Sequence, residues 1–203
     1  MKKNEEMDIV FILDRSGSMG GTESDTIGGY NSYIKKMKDK NAKVTTILFD
    51  DQYEMVTDRV DIKEIKNMTN KVYYTRGCTA LMDAIGKTIK YLDSKNPKKV
   101  VFIITTDGLE NASREYNKQQ VKELIEGHKD WEFMYLGANI DSYGEASSIG
   151  IRADRTSNYS KSKKGMAKMF ESLACASACI AEDRACGAEW KAGLEDYINE
   201  NQQ

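Results

Sequence analysis

The chain has 203 residues, 40% hydrophobic and 31% charged, with 30 basic side chains against 32 acidic ones. That length supports one sizeable core, and a net charge of -2 makes no field that would gather nucleic acid or an anionic membrane. No apolar run approaches the roughly twenty residues of a membrane helix and Ile9 to Leu13 is too short for a signal-peptide core, so one cytoplasmic domain over 1–203 is expected, its core spanning about 7–157 and a helical segment about 160–200.

In chain order, "DIVFIL" (8–13) reads as a first strand. Ile27, Tyr30, Ile34 and Met37 recur at three- and four-residue steps, predicting an amphipathic helix that begins after Ser24 or Asp25 as cap. "KVTTILFDDQYEMVTDRV" (43–60) reads as two strands joined by a tight turn at Asp50 and Asp51, hence an antiparallel hairpin. Leu81, Ile85, Thr88, Ile89 and Leu92 predict a helix that stops before Pro97. "KKVVFIITTDG" (98–108) is a central strand, apolar on both faces. A helix with Val121, Leu124 and Ile125 inward follows, then the strand "WEFMYLGAN" (131–139) and a short helix over 141–149. "IRADRTSNYS" could hold a last edge strand, and "KKGMAKMFESLACASACIAEDRA" is helical. Strands alternating with helical periods predict an α/β fold: a doubly wound, mostly parallel sheet with one antiparallel edge strand and helices on both faces.

In such sheets ligands bind beyond the carboxyl ends of the strands, where strand order reverses. Three segments bring unusual polarity there. Asp14, Ser16 and Ser18 follow the first strand, Thr79 precedes the helix that starts near Ala80, and Asp107 ends the central strand. Together they offer two carboxylates and three hydroxyls. All are oxygen donors, which suits a hard cation, Mg²⁺ above all, with Mn²⁺ or Ca²⁺ able to substitute. In an extended loop Asp14, Ser16 and Ser18 point the same way, so one edge faces one ion. Two carboxylates only just neutralise a divalent charge, and weak hydroxyl ligands leave the ion with waters and an open position.

D-x-S-x-S after the first strand, Thr79 in "GCTALMDA" and Asp107 in "TTDGLEN" resemble the metal-ion-dependent adhesion site of the von Willebrand factor type A family, over about Asp8 to Asn139. "FMYLGANIDSYGEASSIGI" is similar to small stand-alone members from bacteria and phages. The resemblance implies the Rossmann-like fold of that family. It also implies that Ser16, Ser18 and Thr79 coordinate the cation by their hydroxyls, with Asp14 and Asp107 acting directly or through water. A protein partner's acidic side chain would supply the missing ligand. The expectation is therefore a cation-dependent protein-binding module and not an enzyme. A Mg²⁺-dependent phosphohydrolase using Asp14, or a structural subunit of a larger assembly, stands as the alternative.

Other residues carry blander readings. Cys175, Cys179 and Cys186 would lie near one helix face if the helix ran unbroken to Cys186, and without a CxxC pair they read as small buried residues at a helix interface. His128, the only histidine, reads as a helix C-terminal cap at the end of the sheet away from the motif, which leaves no Ser-His-Asp arrangement. Asn139 and Asp141 read as a turn and a helix cap. Arg15 reads either as directed toward a partner or as solvated, and Glu110 and Asn111 as outer hydrogen-bonding groups or caps. Lys161, Lys163 and Lys164 read as a solvated basic spot.

Overall fold

A computed structural model describes residues 5–201. The strands are β1 (Met7–Asp14), β2 (Ala42–Phe49), β3 (Tyr53–Asp61), β4 (Val100–Thr106), β5 (Trp131–Gly137) and β6 (Thr156–Asn158). The helices are α1 (Glu23–Met37), α2 (Leu81–Asp93), α3 (Lys118–Gly127), α4 (Ser142–Ser148), α5 (Lys163–Ala181) and α6 (Ala192–Asn201). One sheet of order β3-β2-β1-β4-β5-β6 joins the strands. Every pairing is parallel except β2 with β3, the predicted hairpin. The expected doubly wound fold with one antiparallel edge strand is the fold observed.

Alternation along the inner strands explains the layers. Ile9, Phe11 and Leu13 of β1 join Val101 and Ile103 of β4 beneath α1 and α5, whose Tyr30, Tyr33, Met169, Phe170 and Leu173 fill that side. Val10 and Ile12 join Phe102 and Ile104 beneath α2, α3 and α4, through Leu81, Ile85, Val121 and Ala146. Both central strands are buried along their whole length, as strands covered by helices on two faces must be. The C-terminal segment shares this packing. The Tyr33 hydroxyl donates to Ser177 Oγ at 2.7 Å, and Trp190 Nε1 donates to the Asp154 carbonyl at 2.9 Å.

Local signals place the helix ends. Asn117 and Gln120 form a reciprocal capping box at the start of α3, and Ser162 Oγ accepts from Gly165 N at the start of α5. Asp141 caps α4 through Gly144 N and Asn139 takes a left-handed φ of 58°, so the turn-and-cap reading of that pair holds. His128 ends α3 with Nδ1 2.6 Å from the Leu124 carbonyl oxygen and Nε2 2.6 Å from Asp93.

Two expectations about the helices fail. Helix α1 starts at Glu23, before Ser24 and Asp25, because Thr22 turns its hydroxyl back to the Met19 carbonyl and Glu23 accepts from Gly21 N. Helix α5 ends at Ala181, so Cys186 lies outside it, and Cys175 is exposed; Ala174, Ala176 and Ser177 provide the small buried face instead. Among the described residues no group of three or more His, Cys, Asp or Glu side chains could hold a metal.

Candidate metal centre

Strand order reverses between β1 and β4: the chain runs from β1 to β2 on one side and from β4 to β5 on the other. Asp14 ends β1 and Asp107 directly follows β4, so the two carboxylates meet at the switch point where a parallel sheet opens a crevice. After Asp14 the chain makes one 3-10 turn over Gly17–Met19, which replaces the extended loop expected there. The two serines nevertheless converge, with their Oγ atoms 3.0 Å apart. Ser18 Oγ donates to Asp107 Oδ1 at 2.5 Å, closing the first loop on the third across 89 positions of sequence.

Thr79 arrives on the second loop. Its N–H donates to Asn111 Oδ1 at 2.9 Å, while its carbonyl accepts from the N–H groups of Asn111 and Ala112. Gly108 locates its hydroxyl: a Cβ built on that glycine would lie 3.1 Å from Thr79 Oγ1 and 3.3 Å from Ser18 Oγ. The five predicted residues thus gather at one small cradle that a single methyl group at position 108 would crowd. Asp14, Ser16, Thr79 and Asp107 are buried and Ser18 is exposed, which leaves the cradle open at Ser18.

Asp14 is held from every side. Ser16 N donates to its Oδ1 at 2.7 Å, Thr106 Oγ1 to its Oδ2 at 2.6 Å, and the Tyr73 hydroxyl to its carbonyl at 2.6 Å. Burial pushes the Asp14 carboxyl above the usual carboxylate range despite those hydrogen bonds, and the charge of Asp107 pushes in the same direction. A carboxylate so placed is stabilised by nearby positive charge. Two acids and three hydroxyls, with no sulfur or imidazole, form the donor set of a hard divalent ion. The residues present therefore fit such a cation.

Several residues that build the site were not assigned this part from the sequence. Arg15 is neither solvated nor aimed outward. It is wholly buried, with Nε donating to Asp50 Oδ2 at 3.2 Å, and the expectation fails because its partner lies 35 positions away in what reads as a plain turn. Arg76 Nε donates to the same oxygen at 2.5 Å. Glu110 and Asn111 are the hydrogen-bonding groups the sequence allowed: Glu110 accepts from Met82 N at the start of α2 and from Ala112 N and Ser113 N, so it and Asn111 fasten the second loop to the third. Lys161 is no free surface lysine either: its Nζ donates to Asp107 Oδ2 at 2.5 Å and to the Ser18 carbonyl at 2.6 Å.

The sequence pattern of the von Willebrand factor type A domain matches residues 9–110, half of the chain and all five cradle positions. The chain belongs to that family. No curated protein sequence matches it. Several solved structures share the type A fold. SpaC, a pilus adhesin of Lactobacillus rhamnosus GG in an open conformation, aligns with TM-score 0.70 and 13% identity over 88% of this chain and 30% of its own. The PilB minor pilin of Streptococcus sanguinis gives 0.67 and 11% over 90% and 63%. Proximal thread matrix protein 1 of the mussel byssus, in a structure whose adhesion-site motif is occupied by zinc, gives 0.60 and 16% over 84% and 45%. These neighbours are adhesion, pilus and matrix proteins, and this type A chain spans less than two thirds of the length of each. At such identities the likeness speaks for the fold.

Proposed function

We propose that this type A domain is a divalent-cation-dependent protein-binding module. Ser16, Ser18 and Thr79 would hold Mg²⁺ by their hydroxyls, with Asp14 and Asp107 supplying the negative charge directly or through water. Mn²⁺ or Ca²⁺ would substitute, and an acidic side chain of a protein partner would complete the shell. The observation that carries this reading is the convergence of Ser16, Ser18 and Asp107 through contacts of 3.0 and 2.5 Å at the strand-order switch. The zinc-occupied motif of the mussel matrix protein supports a metal at the equivalent place in the family.

A bound divalent ion supplies an electrophilic point that attracts a carboxylate. The chain's own part is to hold five oxygens fixed and to leave the Ser18 side open. The phosphohydrolase alternative receives less support, because both oxygens of Asp14 already accept hydrogen bonds, from Ser16 N and Thr106 Oγ1, and a carboxylate so engaged is a poor nucleophile.

Calorimetric titration of the metal-stripped protein with MgCl₂, followed by capture of lysate proteins with and without EDTA, tests the reading. Asp14→Ala and Asp107→Ala should each abolish Mg²⁺ binding, and EDTA should release the captured partner. Undiminished metal affinity in both variants would sink the site assignment.

A further inference from the structure

Lys161 bears on how the cradle is filled. It lies between β6 and α5, and the chain on either side of it is anchored. Tyr159, buried, donates its hydroxyl to the Thr106 carbonyl at 3.4 Å and its N–H to the Gly137 carbonyl at 2.9 Å. Ser162 caps α5, and its Oγ lies 2.9 Å from the Tyr197 hydroxyl of α6. Between these anchors the ammonium reaches Asp107 and the Ser18 carbonyl, both parts of the cradle. The side chain of Asp107 is 1% exposed and that of Lys161 24%, so the contact is sheltered and weakly screened. Two other acids lie within electrostatic reach: Asp14, which feels the Asp107 charge, and Glu23, which feels the Lys161 charge.

A divalent ion among Ser16, Ser18 and Thr79 would stand within a few ångströms of that ammonium. Like charges at such range repel strongly in a partly buried site, and both cations draw on the Asp107 carboxylate. Lys161 has somewhere to go: it also lines a groove of about 410 Å³ that contains Asp141 and Asn158. We propose that Lys161 is a tethered cation that neutralises Asp107 when no divalent ion is bound and is displaced toward this groove when one binds, so that it sets the metal affinity of the site. The inference rests on the cation-site reading given above and adds its regulation. The type A domain would fill its cradle where the divalent ion outcompetes an internal ammonium, and a partner's carboxylate would strengthen the ion's side of that competition.

The test uses the full chain, stripped with EDTA, in two measurements: thermal unfolding in EDTA and calorimetric titration with MgCl₂ alone. Lys161→Met and Lys161→Gln, which remove the charge in two ways, should melt earlier than wild type in EDTA, because Asp107 loses its counter-charge. Both should bind Mg²⁺ about tenfold more tightly, the scale of one charge-assisted contact. Lys161→Arg, which keeps the charge, should stay within about threefold of wild type. If Met and Gln variants bind Mg²⁺ no more tightly than wild type, the tethered-cation role is overturned while the site stands. If neither wild type nor the charge-removed variants bind Mg²⁺, the site reading fails and the role falls with it.

Discussion

Arg15 and Asp50 form an ion pair of 3.2 Å in which neither side chain is exposed. Asp50 Oδ2 also takes Arg76 Nε at 2.5 Å, its Oδ1 accepts from Gln52 N, and its carbonyl accepts from Ala80 N. One carboxylate at the end of β2 therefore ties the loop bearing Ser16 and Ser18 to the loop bearing Thr79. The Arg15 guanidinium gains Glu54 Oε2 at 2.7 Å from Nη2 and lies 5.5 Å from the centre of the Tyr74 ring. Removing Asp50 leaves a buried cation without the buried one of its two carboxylate partners, which typically costs about 3 kcal/mol. Urea denaturation of Asp50→Ala should show a loss of that order, and adding Arg15→Met should recover part of it because the stranded charge is gone. A double variant no more stable than Asp50→Ala alone would show that the pair is not coupled.

Gly108 gives a test of the cradle that leaves every proposed ligand in place. A methyl group there comes within 3.1 Å of Thr79 Oγ1 and 3.3 Å of Ser18 Oγ, so both hydroxyls must give way. Gly108→Ala should weaken Mg²⁺ binding several-fold, while its stability stays within about 1 kcal/mol of wild type because the change lies at the rim. Calorimetric titration beside a urea melt checks both halves. Unchanged affinity would mean that the ion does not lie between those hydroxyls.

Much of this was legible in the sequence, and the exceptions share a cause. The strands β1 and β4 announce themselves by continuous apolar runs, and the D-x-S-x-S and Asp107 segments lie at strand ends, and Thr79 at a helix start, that local pattern fixes. Arg15 and Lys161 were misread because their partners lie 35 and 54 positions away, and an ion pair between distant loops leaves no period or spacing to read. Thr106, adjacent to Asp107 in "TTDG", was within reach: a polar residue at the end of an otherwise apolar central strand needs a partner, and Asp14 is that partner. The limits of α5 depended on where an alanine-rich run stops packing, which composition alone does not mark.

Asp83 makes a pH-dependent contribution. Burial works against its charge, but the N–H groups of Arg114, Tyr116 and Glu115 all donate to it, and together they hold its carboxyl below the usual value. A carboxyl depressed in the folded state stabilises the fold above its unfolded value of about 3.9, and that contribution disappears as pH falls through the folded value. Asp83→Asn should therefore cost about 1.5 kcal/mol near neutral pH, the range for hydrogen bonds to a charged group. The gap between variant and wild type should stay flat from pH 8 to about 5 and narrow below about 4. Urea melts across that range measure it. A gap that widened toward acid would contradict the sign.

Adjacent glycines of α1 should respond oppositely to the same substitution. A Cβ on Gly29 would fall 2.0 Å from Phe170 Cδ2 and 2.6 Å from its Cε2, whereas a Cβ on Gly28 meets nothing within 4 Å. Phe170 is 1% exposed, in the core shared by α1, α5 and the central strands, so its ring cannot swing aside into solvent. Overpacking of this kind costs about 1–3 kcal/mol, and Gly29→Ala should lose that much. Gly28→Ala gains only helix propensity and should stabilise by somewhat under about 1 kcal/mol. Combining Gly29→Ala with Phe170→Leu should restore part of the loss, because the shorter side chain makes room for the methyl. That rescue would show that α5 packs against α1 closely enough to dictate which glycine α1 must keep. A loss in Gly29→Ala that Phe170→Leu cannot relieve would place the strain elsewhere in α1.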